Sequence, residues 1–530
     1  VLGLELVVVL GLALLAAGVL ARRFGVAPPV PQLALGILLG FAPALRGVSV
    51  PPEIVLLVFL PPLLYWESLT TSLRGIRNYL RVIVLMATLL VVATAGVVAV
   101  AAHALGLPWG PAWALGAAIA PTDATAVGIL GRALPRSSMV VMRAESLVND
   151  GTALVIYGLA VGLTVGGEHL SVLHVGWLVV LSYGAGMLAG VIVAWLGLWV
   201  RRRLNDPLLE NVSVVVIPFA AYLLAEAAHA SGVLAVVVAG LIISQAGPRV
   251  GHAGTRQQTT AFWNLATYLI NGALFVLIGL EVQSSVRGLT SIALTKGLIA
   301  VGVVSAVVVG VRFLWLFTTP YIIRALDRRP QQRARRSSAR ARVVNGVAGF
   351  RGAVSLAAAL ALPTTVDSGA PFPGRDEIIF ITTGVIVVTL VGQALLLPMV
   401  IRWARFPRDD SDDRERRLAD ETASEEALKA LPDLAASLEV DQEVVDRIQH
   451  EFERHVHVLH AGGDQLDDED EDAARHDRQY TALSRATLDH KRATVIRLRD
   501  EGAIDDSVMR AIQTRLDAEE VRLQRRTVTD

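Results

Sequence analysis

The residues of this chain that can do chemistry stand in apolar surroundings. Within Glu145-Ser-Leu-Val-Asn-Asp-Gly151, Ser146, Asn149 and Asp150 are spaced i, i+3 and i+4. In a helix they share one face, and Glu145 lies beside Asn149. One turn then offers a hydroxyl, an amide and carboxylate oxygens. Oxygen donors suit a hard cation such as Na+. A carboxylate held away from water has to be neutralised, by a proton or by a cation. Capping of a helix start does not explain Asp150, because apolar sequence continues from Ala153. The plainer alternative is a structural polar cluster between helices.

Two further stretches break apolar runs. In Ala118-Ala-Ile-Ala-Pro-Thr-Asp-Ala-Thr-Ala-Val127, Pro121 removes a backbone donor, and Thr122, Asp123 and Thr125 follow it directly. In Asn345-Gly-Val-Ala-Gly-Phe-Arg-Gly-Ala-Val-Ser355, Gly346, Gly349 and Gly352 flank Arg351 and permit unwinding or close packing. A helix broken inside a membrane exposes carbonyls and amides, which is tolerated only where they line a polar cavity. The alternative at Pro121 is a simple kink with Asp123 capping the second half. Arg351 needs a buried acid, and Glu145 is the expected partner in a structural ion pair.

These residues must be positioned by membrane-spanning helices. Of the 530 residues 53% are hydrophobic and 18% are charged, against about 45–50% and about 25% in soluble chains. Thirteen apolar segments are long enough to be candidates: roughly 1–21, 27–45, 52–70, 80–106, 110–131, 138–165, 172–200, 211–229, 231–246, 260–282, 290–323, 342–363 and 376–403. The eighth and ninth are separated only by His229–Gly232, which leaves twelve as an alternative count. The first segment is long and lacks a basic n-region, unlike a cleaved leader. A charge at mid-bilayer costs at least about 2.5–3.5 kcal/mol, so Glu67, Asp123, Glu145, Asp150, Glu226 and Arg351 each need a reason. Glu5, Glu53 and Glu281 lie near helix ends and can reach water.

Loop arginines set an orientation. Odd-numbered loops hold 21 Arg, among them Arg74, Arg77, Arg81, Arg132, Arg136 and Arg143, against three (Arg46, Arg287, Arg375) in the even ones. Thirteen helices then place the N-terminus outside and the C-terminus in the cytoplasm. The formal net charge of zero hides a split, because residues 405–530 carry 33 Asp+Glu and 20 Lys+Arg. Two parts follow: a membrane domain, 1–403, and an acidic, mainly helical cytosolic domain, 404–530. Zero net charge gives nucleic-acid binding no electrostatic footing. The absence of Cys excludes disulfides, thiolate zinc sites and cysteine nucleophiles.

Ala120-Pro-Thr-Asp123, Glu145-Ser-Leu-Val-Asn-Asp-Gly151 and Gly349-Phe-Arg-Gly-Ala-Val-Ser355 together resemble the cation/proton antiporters of the NhaP and sodium/hydrogen exchanger group. Leu60-Pro-Pro-Leu-Leu-Tyr-Trp-Glu67 resembles that group's proline-proline-acid helix, with Trp66 standing where an aromatic such as Phe is usual. The likeness covers about residues 1–403. It implies an all-α polytopic fold of about 13 transmembrane helices with two crossing broken helices, a dimerisation domain, a core bundle including about 80–165 and 290–403, and homodimers. It implies that Asp150 carries the ion and the proton, with Ser146, the Thr122 backbone and a water completing the coordination. Glu67 would be a gate or indirect ligand, Asn149 and Asp123 would orient the site, and Glu145 with Arg351 would form the ion pair. Asn149, rather than a second Asp, is the pattern of the electroneutral branch. Hydropathy alone also brackets helices four to six and eleven to thirteen as an inverted repeat, and paired broken segments point to a binding site near the midplane.

The expected function is therefore electroneutral exchange of one cytosolic Na+ or Li+ for one proton in the cell membrane, serving pH and sodium homeostasis, with no cofactor. K+/H+ exchange on the same fold is the alternative. More distant are a gated channel, and an intramembrane aspartyl protease with Asp123 and Asp150 as its dyad. In the C-terminal part, residues 414–460 and 474–526 show helical spacing, joined by Gly462-Gly463 and the acidic run Asp464 to Asp472. This part reads as a solvated connector or as a regulatory domain. His450, His455, His457, His460, His476 and His490 bring to it the side chain whose charge changes near neutral pH. His455 and His457 are a weak metal pair.

Overall fold

Why the chain breaks where it does is written mostly in its prolines, glycines and capping residues. The computed structural model describes residues 2–45, 55–123, 134–166, 172–204, 206–250, 253–287, 291–326, 338–407, 409 and 411–461, and parts of 479–520. The chain divides into two compact units, Val1–Arg408 and Asp409–Asp530.

The first unit is helical throughout its described residues, apart from turns and one short bridge between Thr365 and Pro371. It opens with α1 (Leu2–Phe24) and α2 (Pro29–Leu39), whose prolines sit in the first turn, where no backbone donor is needed. A π-helical turn, Val55–Phe59, leads into α3 (Leu60–Thr70), where Pro61 and Pro62 remove two donors at the helix start. Ser72 caps α4 (Leu73–Val84) by accepting from the Gly75 amide at 3.1 Å. The chain continues through a second π turn into α5 (Leu90–Ala104), so that Leu73–Ala104 forms one long span. Next come α6 (Trp109–Ile119) and α7 (Arg136–Gly166). They are followed by α8 (Val172–Arg201), and by α9 (Pro207–Ala227) with Asp206 as its cap. His229, at a left-handed φ of 53°, separates α9 from α10 (Gly232–Val250), so the eighth and ninth segments are distinct helices. The unit ends with α11 (Ala253–Arg287), α12 (Ser291–Leu326), the short pair α13 (Ala339–Val347) and α14 (Ala353–Leu360), and α15 (Arg375–Ala404).

Among the described residues, each of the thirteen expected segments overlaps a helix or a helix pair over at least part of its length. Among the described residues eight helices are long and apolar enough to cross a membrane, with Pro29–Leu39 and Gly232–Ala246 as shorter apolar ones. Their outward faces are apolar: Val8, Leu12, Leu15 and Val19 on α1, and Trp177, Leu181, Leu188 and Trp195 on α8, are all exposed. A contiguous exposed surface of this kind belongs in lipid. Inside, small residues let backbones meet. A side chain at Gly36 or Gly279 would strike the backbone of the other helix, which fixes the crossing of α2 and α11.

The helical spacing over 414–460 is divided in the second unit. That unit holds two helices, α16 (Ser411–Ser437) and α17 (Gln442–Ala461), packed against each other across a turn in which Glu439 has φ 53°. Gly462-Gly463, Asp464 to Asp472, His476 and most of 499–526 lie outside the described residues, as do the side chains of His455, His457 and His460.

Candidate functional site

The two interrupted segments meet at their breaks. α6 ends at Ile119, and Pro121, Thr122 and Asp123 run on without helical bonds. The second half of that segment, including Thr125, lies outside the described residues. Between α13 and α14, residues 349–352 are likewise non-helical. The Asp123 amide donates to the Phe350 carbonyl at 2.8 Å and ties one break to the other. Gly352 is required there, because a Cβ would run into the Asp123 carboxylate. Arg351, 1% exposed, donates from Nε to the Ile119 carbonyl at 3.2 Å and from a terminal nitrogen to the Gly349 carbonyl. Carbonyls at helix ends lack partners along the chain, and a guanidinium supplies both donors and charge.

The expected Glu145–Arg351 pair is therefore corrected. Glu145 is held by Arg312 of α12, whose two terminal nitrogens meet its carboxylate oxygens at 2.6 and 3.4 Å. Arg312 also donates from Nε to the Asn345 carbonyl at 3.1 Å, joining α7, α12 and α13. Both members are 3% exposed, a geometry in which a bidentate pair with a further bond from Nε offsets part of the desolvation. The Thr122 hydroxyl donates to Glu145 at 3.2 Å. The Asn149 amide donates to the Thr122 hydroxyl at 2.9 Å and to the Thr122 carbonyl at 3.3 Å. One network thus runs from Arg312 through Glu145 and Thr122 to Asn149, and it holds α7 against the end of α6.

Asp150 and Ser146 stand on the adjoining side of α7, both buried, and open onto a cavity of about 350 Å³. Thr122, Asp123 and Glu67 line the same cavity. Five of the six residues expected to bind the ion or proton are thus brought to one space, and Asn149 holds Thr122 from behind. Among the described residues no guanidinium or ammonium forms an ion pair with Asp150. Two buried oxygens beside this space have no hydrogen-bond partner: Asn149 Oδ1 and the hydroxyl of Ser355, which lines the cavity. Such orphans are rare in interiors and mark places where a ligand or water completes the bonding.

Several functional neighbours escape the sequence reading. Arg312 lies inside segment eleven and was legible there as a single Arg in an apolar run. Asn264, Thr267 and Asn271 of α11 line the opposite cavity wall, and their i, i+3, i+7 spacing is the signal that finds them. Arg143, counted above with the loop arginines, is a helical residue of the cavity wall. Trp66 stacks on Trp263 of α11, with ring centroids 6.1 Å apart and planes 8° apart, which explains the larger aromatic before Glu67. Glu226, taken as an interior acid, is instead exposed at the end of α9.

Comparison with known proteins adds to this geometry. The family described as "Sodium/hydrogen exchanger, transmembrane" matches residues 9–403. An uncharacterized Na(+)/H(+) exchanger of Mycobacterium tuberculosis is 41% identical over 525 residues, 99% of this chain and 96% of that one. A sodium, potassium, lithium and rubidium/H(+) antiporter of Bacillus pumilus is 31% identical over 411 residues, 74% of this chain and 61% of that one. The sodium proton antiporter MjNhaP1 of Methanocaldococcus jannaschii superposes with a TM-score of 0.59 at 18% identity, covering 76% of this chain and 99% of that one.

Proposed function

The chain belongs to the sodium/hydrogen exchanger family, a multi-pass membrane protein and secondary transporter rather than an enzyme, and from that premise we propose that it exchanges one Na+ or Li+ for one proton at Asp150. The observation that carries this reading is a buried carboxyl that lines a cavity and forms no ion pair among the described residues. A charge in that position is stable only when neutralised. Ser146, the Thr122 carbonyl and a water complete the cation's shell, with Glu67 at the approach and Asp123 and Asn149 fixing the geometry. A proton and a cation compete for the same oxygens. If the bundle changes its access only when Asp150 is neutral, exchange is obligatory. With a single titrating acid, no net charge crosses.

Thirteen spans, an inverted repeat through the two broken segments, an outside N-terminus, a cytoplasmic C-terminal domain with a regulatory role, and a homodimer in the cell membrane complete the proposal. Membership of a transporter family leaves no place for the protease alternative. K+/H+ exchange remains a second reading, favoured by the cation range in the name of the Bacillus pumilus relative. Purified protein in liposomes containing a pH dye, tested cation by cation, separates the two. Na+ and Li+ dequenching the dye, with K+ inert, supports the first; K+ as the preferred cation supports the second; no response to any of them refutes exchange.

A further inference from the structure

The cavity wall carries one cation among its described residues, Arg143, which shares the lining with Glu67, Asp123 and Asp150. Arg143 stands on the same face of α7 as Ser146 and Asp150, three and seven residues before them, and so about 10 Å along the axis from the acid. It is half-buried, and it lines the cavity together with Glu67. Among the described residues no carboxylate closes an ion pair with it, in contrast to Arg312, which is held by Glu145 and Asn345. The cavity, with three carboxyls around it, is where its charge is felt.

We propose that Arg143 is a tethered cation that sets the affinity of the cavity for the transported ion. Its guanidinium neutralises part of the negative potential of Glu67 and Asp123, and an arriving cation meets that reduced potential before it reaches Asp150. Because the effect is one of charge and not of size, it acts alike on every monovalent cation. Arg143 is in this sense an affinity-determining residue that works through the field and not by coordination. The inference rests on the reading of Asp150 as the exchange site.

The test compares wild type, Arg143→Gln and Arg143→Lys in proteoliposomes, with KM and kcat measured for Na+ and for Li+ at a pH high enough that protons no longer compete for Asp150. A unit charge removed at about 10 Å, in a medium of effective dielectric constant about 20 and with salt screening, predicts a KM about three- to tenfold lower in Arg143→Gln. The fall is expected in the same proportion for both cations, with KM moving more than kcat, while Arg143→Lys keeps the wild-type KM. An unchanged or raised KM in Arg143→Gln overturns the proposal, as does a lysine variant that behaves like the glutamine one. If Arg143→Gln folds but does not turn over, the Na+ concentration that stabilises the purified protein against heat replaces KM. A lower concentration than for wild type supports the proposal, and an equal or higher one refutes it. If Arg143→Gln and Arg143→Met both fail to give a monodisperse protein, Arg143 is a structural pin and the proposal is wrong. Silence of the wild type would defeat the exchange reading itself; an active wild type with an indifferent Arg143→Gln defeats this inference alone.

Discussion

At the scale of single residues the molecule separates a rigid network from a free carboxyl. Arg312, Glu145, Thr122 and Asn149 bond one another, whereas Asp150 and Ser146 open onto the cavity. Breaking a buried pair from one side leaves an uncompensated charge. Glu145→Gln or Arg312→Met alone is therefore expected to destabilise the purified protein by about 3–5 kcal/mol, and the double variant by less. Thermal unfolding of all three measures it, and additive losses would show that the pair is not coupled. Gly352→Ala is expected to abolish exchange by displacing Asp123, which proteoliposome assays would read as lost turnover; wild-type turnover would show that the Asp123 contact is unimportant. The acids of this network were legible because carboxyls inside apolar segments need a reason. Its geometry was not. Arg351 looked like the partner of Glu145 because both are interior charges, yet a guanidinium beside two helix ends found carbonyls to bind, and the acid turned to Arg312.

At the scale of elements the site depends on helices that stop. Pro121 and the glycines around Arg351 announce both interruptions in the sequence, and the bond from Asp123 to Phe350 shows that the two breaks meet. What periodicity could not show is which neighbours close the cavity. α11 supplies Asn264, Thr267 and Asn271, whose spacing marks one polar face of that helix but not which other helix that face meets. The crossing that places α11 is set by Gly36 and Gly279. Gly279→Leu is expected to force α2 and α11 apart and cost about 1–3 kcal/mol, on the scale of other overpacked interiors. An unchanged melting temperature would show that this contact does not hold the wall. The tail illustrates the opposite limit: a helical pattern over 414–460 marks the right residues, while the reversal at Glu439 leaves no apolar gap to betray it.

The whole molecule joins a membrane unit that carries the family match to an acidic helical unit, with the division at Arg408. If the second unit regulates the first, a chain ending at residue 408 should still exchange cations for protons but with a displaced pH dependence. An identical pH profile would leave the tail without that role, and loss of a folded protein would make it structural. The central claim concerns the first unit: one carboxyl serves a proton and a cation by turns. Adding Na+ to purified protein in weak buffer, near the pH at which the site is half protonated, tests it directly, because binding that displaces a proton must release it. The expected result is an acidification that saturates with Na+ in the wild type and is absent in a folded Asp150→Asn variant. Saturable Na+ binding without proton release, or the same release from Asp150→Asn, would contradict the account.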